Sequence, residues 1–142
     1  MKNLEIIENS LDYSHEDMND FMKSNNMYID EIPESVRHEV LNSYDYFAIA
    51  KVDGKMVGVI EALSNNGYST TILLFVGVHK DYQRQGIGTE LMKTFQAKYG
   101  HTTIWAIPTI VHGDGPLKFL STFGINKNKY YTVCSSIRQG TN

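Results

Sequence analysis

Apolar positions along the chain change period several times, and each change marks an element. Leu4, Ile6 and Ile7 suggest a short first strand. Ser14 or His15 then opens a segment in which Met18, Phe21 and Met22 recur at i, i+3 and i+4, the stripe of a helix. A second helix is expected after Ile32-Pro33, with proline in its first turn, Glu34 behind it and Val36, Val40 and Leu41 as its buried side. Two hairpins follow. Tyr46–Lys51 and Met56–Glu61 flank Asp53-Gly54, and the run Thr70–Val78 is joined across Asn66-Gly67, both dipeptides suiting the positive φ angles of tight turns. The third of these strands is almost wholly apolar, which predicts a place in the middle of the sheet with both faces covered.

Past a polar loop, Ile87, Leu91, Met92, Phe95 and Tyr99 form another helical face, with Gly100 as the expected C-terminal cap. A strand over Thr102–Ile107 ends at Pro108. Asp114 offers an N-cap to a helix carrying Leu117, Leu120 and Phe123 and ending at Gly124, and Tyr130–Cys134 has the composition of a last strand. The order β-α-α-β-β-β-α-β-α-β implies one parallel pair in an otherwise antiparallel sheet. The fold class expected is therefore α+β in three layers, a mixed, mostly antiparallel central sheet with helices on both faces. No repeat or linker interrupts residues 1–142, and one domain is expected over the whole length.

Composition narrows the function classes. Thirteen Lys plus Arg against sixteen Asp plus Glu leave a net charge of −3, which argues against a general affinity for nucleic acid or an anionic membrane. The single cysteine, Cys134, excludes an intramolecular disulfide, a CxxC pair and a multi-cysteine zinc site, so a reducing, cytoplasmic setting and no metal are expected. Acidic residues break up the apolar positions near Met1, and neither a signal peptide nor a membrane span can be drawn there.

The chemistry is concentrated in Val76-Gly77-Val78-His79-Lys80-Asp81-Tyr82-Gln83-Arg84-Gln85-Gly86-Ile87-Gly88-Thr89. A buried strand enters a polar loop, two glycines spaced by one residue follow, and a helix begins at once. Such a turn is an anion cradle: glycine lets backbone approach a ligand closely, and the unpaired N–H groups of the first helical turn point at negative charge. Arg84 adds a positive charge at the rim. The Gly-Lys-Ser/Thr of a P-loop and the third glycine of a dinucleotide fingerprint are both missing.

Gln83-x-x-Gly86-x-Gly88, between an apolar strand and a helix with Leu91 and Met92, resembles the acetyl-coenzyme A signature of the GNAT superfamily of N-acetyltransferases, Gln/Arg-x-x-Gly-x-Gly/Ala. The element order is similar as well. The resemblance implies an acyl-CoA N-acyltransferase fold with acetyl-CoA as cosubstrate. Backbone amides of Gln83, Arg84, Gln85, Gly86, Ile87, Gly88 and Thr89 would hold the pyrophosphate, and the backbone of Val76, Gly77 and Val78 would pair with the pantetheine arm. In this family that strand splays from the next, here Ile104–Ile107, with the thioester in the gap and an N–H near Val78 as oxyanion donor.

The resemblance weakens at the last helix, where Leu120 stands at the position of a tyrosine that many members use to protonate the thiolate. Tyr131 is the candidate general acid in its place. Glu61 is the candidate base, because the strand Thr71–Val78 carries no carboxylate. His112, in the loop before that helix, is a candidate for lining the acceptor site, whereas His79 is assigned no chemistry and Cys134 reads as a small core residue. The acceptor side, by resemblance Ser14–Ser43 and Ile107–Asp114, is rich in acidic residues, among them Asp20, Asp30, Glu31 and Glu34, which favours a cationic amine such as a polyamine, an aminoglycoside or a lysine side chain. The expected activity is acetyl transfer to a primary amine of a small molecule or peptide, and a homodimer is compatible with it. The alternative is a module of this fold that binds or senses acyl-CoA with little turnover.

Overall fold

In the computed structural model, residues 3–25 and 32–136 are described. Asp30 and Glu31 of the acidic stretch lie outside them. The chain divides into two compact units, Met1–Ala106 and Ile107–Asn142.

The first unit holds a five-stranded sheet in the order β1-β2-β3-β4-β5: β1 (Leu4–Glu8), β2 (Tyr46–Val52), β3 (Lys55–Ser64), β4 (Thr70–Val78) and β5 (Thr103–Ala106). Neighbours pair antiparallel except β4 and β5, which run parallel across the helix between them. Asp53 and Gly54 have φ of 49° and 84°, and Asn66 and Gly67 have 61° and 70°, so both expected turns use left-handed backbone at both positions.

Helix α1 (His15–Ser24) packs on β3, and α3 (Ile87–Tyr99) lies across β1 to β4. Ser14 caps α1 by accepting the Asp17 N–H at 3.1 Å. Met18 and Phe21 of α1 join Phe47, Ile49, Met56 and Val59 in one buried layer. On the other face Tyr46 is fully buried against Phe95 and Tyr99 of α3, and its hydroxyl donates to Glu8 Oε2 at 2.6 Å.

Four expectations are corrected. The strands covered on both faces are β2 and β3, not β4: Ile72 and Leu74 of β4 are exposed, because α3 covers one face of β4 while α1 packs over β3 on the other. Helix α2 (Glu34–Ser43) buries Leu41 but leaves Val36 and Val40 exposed and turns Arg37 and His38 inward. Gly100 caps α3 as expected, in right-handed backbone with its N–H bonded to the Gln96 carbonyl at 2.8 Å. Tyr130–Cys134 is no strand, since the sheet ends at β5 and strand composition alone does not satisfy backbone groups without a ladder partner; Cys134 is exposed, not a core residue.

The second unit contains α4 (Gly115–Ser121), with Pro116 in its first turn, Phe119 edge-on to Phe123, and Gly124 at φ 77° after its end. Among the described residues no helix is long and apolar enough to cross a membrane.

Candidate active site

Strands β4 and β5 pair only from Thr70↔Thr103 to Leu73↔Ala106, whereas β4 stays paired to β3 as far as Val78↔Gly58. Among the described residues the second half of β4 therefore pairs with no strand on its β5 side. The break coincides with a bulge, in which Glu61 faces Phe75 and Ala62 faces Leu73, so Leu74 is the extra residue.

Ladder alternation says which groups the break frees. The His79 N–H donates to the Val57 carbonyl at 2.7 Å, so 57↔79 is a hydrogen-bonded position, and so in turn is Val59↔Gly77. At the intervening residues, Val76 and Val78, N–H and C=O point away from β3. The Val78 carbonyl is taken by two side-chain amides, Asn25 Nδ2 at 3.2 Å and Gln83 Nε2 at 3.0 Å. The Val76 backbone and the Val78 N–H stay directed to the open side. Gly77 contributes by lacking a Cβ, which would stand 2.5 Å from the Phe75 ring.

The loop after β4 starts with a 3-10 turn, Lys80–Tyr82, capped by His79, whose Nδ1 accepts the Asp81 N–H at 3.1 Å. Arg84 (φ 63°) and Gly86 (φ 82°) are left-handed, and α3 begins directly after Gly86. A left-handed arginine is uncommon and mildly strained. The first bond into the helix is Glu90 N–H to the Gly86 carbonyl, and the N–H groups of Gly86, Ile87, Gly88 and Thr89 meet no acceptor among the described residues. With the helix dipole behind them, they form a cradle for a phosphate-like anion, and the exposed Arg84 stands beside it.

Glu61 lies on the face of the sheet that α1 covers, in register between Phe47 and Phe75. Among the described residues nothing hydrogen-bonds its carboxylate, and burial pushes its pKa up to about 7, with the charge of Arg37 pulling the other way. Glu61 thus holds or releases a proton near neutrality, across one ladder step from β4 just beyond the break. Tyr131, His112 and Leu120 belong to the second unit: Tyr131 and His112 are exposed, and Leu120 is a buried apolar side chain with no proton to give. Among the described residues no group of three or more His, Cys, Asp and Glu side chains could hold a metal ion.

Two features escaped the sequence. Asp20 in the middle of α1, Ser24 at its last residue and Asn25 just beyond bond His79 Nε2, the Lys80 N–H and the Val78 carbonyl, fastening that helix to the loop; scattered polar residues along a helix give no sign of such a role. Tyr13 and Arg37 were also missed, and the inward turn of an arginine beside an outward valine could not be read from periodicity.

The model of the acetyltransferase (GNAT) family matches residues 10–111. No curated protein sequence matches the chain. Among solved structures, a GNAT-family acetyltransferase from Streptococcus pneumoniae aligns with a TM-score of 0.73 at 18% identity, covering 99% of this chain and 100% of that one. An aminoglycoside acetyltransferase from an uncultured soil metagenomic sample, in complex with sisomicin, aligns at 0.68 and 18% identity over 95% and 97% of the two chains. The aminoglycoside N-acetyltransferase AAC(6')-Iy in complex with CoA aligns at 0.68 and 15% identity over 98% and 97%. At these identities the structures speak for a shared fold, and the family match over residues 10–111 carries the assignment: the chain belongs to the GNAT family of acetyltransferases.

Proposed function

We propose that this chain is an acetyl-CoA-dependent N-acetyltransferase acting on a primary amine of a small molecule or peptide. The observation that carries the reading is the departure of β4 from β5 after Leu73, which leaves the Val76 backbone and the Val78 N–H directed away from β3, a few residues before the open amides at the start of α3. The fit to coenzyme A is chemical: a row of strand amides suits the amide-bearing pantetheine arm, and a helix N-terminus entered through left-handed Arg84 and Gly86 suits a pyrophosphate. When bound, acetyl-CoA supplies an activated acyl carbon.

In this reading the amides of Gly86, Ile87, Gly88 and Thr89, with the loop Gln83–Gln85, hold the pyrophosphate, and Arg84 adds a rim charge. Gln83 has a second task, since its side chain caps the Val78 carbonyl and leaves the neighbouring N–H as the donor facing the open side of β4. That N–H stabilises negative charge developing on a carbonyl oxygen. Glu61, ionising near neutrality, takes the proton from the attacking amine. Tyr131 is the proposed proton donor to the departing sulfur. The buried Leu120 favours a second reading, a binding or sensing module with little turnover. A thiol-release assay over a panel of amines, run beside calorimetry with acetyl-CoA, separates the two: binding without turnover on any amine overturns the enzyme, and absence of binding overturns both.

A further inference from the structure

Helix α2 presents an unexpected side to the sheet. Val36 and Val40 are 41% and 42% exposed, while Arg37 and His38 turn inward with Leu41 and Tyr44. Turning an arginine partly inward while exposing two valines costs stability unless the arginine has something to bind, and such conflicts between local and global preference collect at functional sites. Among the described residues Arg37 Nε is buried without a hydrogen-bond partner, as are His38 Nε2 and the hydroxyl of Tyr13, a side chain itself only 8% exposed. The Tyr13 ring stands edge-on to His38 at 5.7 Å and belongs to the same buried cluster as Phe47 and Leu41, against which Tyr44 and Phe75 pack. Phe47 and Phe75 are the register neighbours of Glu61. Thus one sheet face carries an unbonded carboxylate together with two unbonded donors, one cationic. Arg37 faces both partners electrostatically, since its charge pulls down the Tyr13 phenol and the Glu61 carboxyl against the burial that raises them. Glu34, one turn earlier, lies by His38 at 3.6 Å, and its charge raises the Tyr13 phenol against the pull of Arg37.

We propose that Glu61, Arg37 and Tyr13 form an acceptor subsite for a small amine that carries its own carboxylate, an amino acid or a close analogue, with its nitrogen at Glu61 and its carboxylate on the Arg37 guanidinium and the Tyr13 hydroxyl. The proposal rests on the acetyl-transfer reading of Glu61 and deepens it. A planar guanidinium matches a carboxylate through paired hydrogen bonds, and the phenol supplies one more donor. A polyamine would instead bring positive charge against Arg37 and leave both donors unbonded, and an aminoglycoside would bring the same charge with only neutral hydroxyls to accept from them.

The test compares amino acids with their carboxamides, which keep size and amine but lose the negative charge, and adds spermidine and an aminoglycoside. The wild-type protein should acetylate the best amino acid with kcat/KM at least tenfold above its carboxamide. Arg37→Gln should erase that ratio chiefly through KM, leave acetyl-CoA affinity unchanged and retain a cooperative melt, with Arg37→Lys restoring part of the preference and Tyr13→Phe reducing it. A carboxamide, spermidine or aminoglycoside used as well as the amino acid overturns the subsite while acetyl transfer stands, as does a preference that survives Arg37→Gln. Should no amine be acetylated, the transfer reading fails separately, and calorimetric titration of the same amino acids into protein saturated with CoA decides the subsite: binding that Arg37→Gln abolishes supports it, and absence of binding overturns it.

Discussion

His79 Nε2 lies 2.9 Å from Asp20 Oδ2, a bond that joins the strand end leading into the cofactor loop to the middle of α1. Because His79 Nδ1 accepts the Asp81 N–H, the proton sits on Nε2 and the histidine donates to the carboxylate. The same carboxylate oxygen receives Lys55 Nζ at 2.9 Å. Replacing Asp20 by Ala leaves the buried His79 N–H unsatisfied, a loss of about 1–3 kcal/mol. A lower melting temperature in Asp20→Ala than in a Lys55→Met control checks this, and equal melts would refute it. Hydrogen bonding by Lys55, and then by His79, holds the Asp20 pKa below its ordinary 3.8 against the effect of burial. Its contribution is therefore complete above that value and is lost as pH falls through the lower, folded-state pKa.

What the sequence disclosed follows the range of the interactions concerned. The turns at Asp53-Gly54 and Asn66-Gly67 and the cap at Ser14 are set by residues a few positions apart, and all three were legible. So was the loop from Gln83 to Gly88, whose glycine spacing is local. The bulge at Leu74 was not, because it is a property of the β3–β4 register and no single residue type requires it. The side of α2 that turns inward was misread for a related reason: the valines satisfy helical periodicity, but the helix is oriented by Leu41 and Tyr44, leaving Arg37 inside. Tyr130–Cys134 has β-branched and aromatic composition, yet no ladder in the sheet includes it.

The cradle is tested by two substitutions with different expectations. Gly88→Val puts a branched side chain among the open amides and should lower acetyl-CoA affinity by more than tenfold in calorimetry. Arg84→Ala removes only an exposed charge, so the loss should be on the order of 1 kcal/mol, about fivefold. Arg84→Gly loses the same charge but relieves the left-handed backbone at φ 63°, so it should melt above Arg84→Ala while binding equally weakly. Wild-type affinity in Gly88→Val would remove the pyrophosphate from this loop.

Two side chains converge on one carbonyl at Val78, and they should be redundant. Loss of either the Asn25 or the Gln83 amide leaves the other bond in place, so Asn25→Ala and Gln83→Ala should each cost less than ~1 kcal/mol, and the double variant more than their sum. Urea denaturation of the four proteins measures the coupling, and strict additivity would show that the two amides act independently.

Tyr131 is tested through the split between rate and binding. If it protonates the departing sulfur, Tyr131→Phe should lower kcat by roughly 10²-fold with acetyl-CoA affinity unchanged, since general acids typically contribute about 10²–10⁴. An unchanged kcat would assign that proton to water.

Glu61 ties stability and rate to one proton. Its folded pKa of about 7 lies above the ordinary 4.5, so the folded state favours the protonated carboxyl. The stability this group contributes is therefore full below pH ~4.5 and is lost as pH rises through about 7, at most by about 3 kcal/mol. Glu61→Gln should remove the dependence: near pH 4.5 it should match the wild type, and near pH 8 it should be the more stable protein in urea. Catalysis should move the opposite way. A base must be ionised to accept a proton, so wild-type kcat should rise with pH through about 7, whereas Glu61→Gln should be slower by roughly 10²-fold near neutrality and recover at high pH as free amine becomes abundant. A variant that shows the stability change but keeps the wild-type pH–rate profile would leave Glu61 as a buried acid and assign the kinetic limb to the amine.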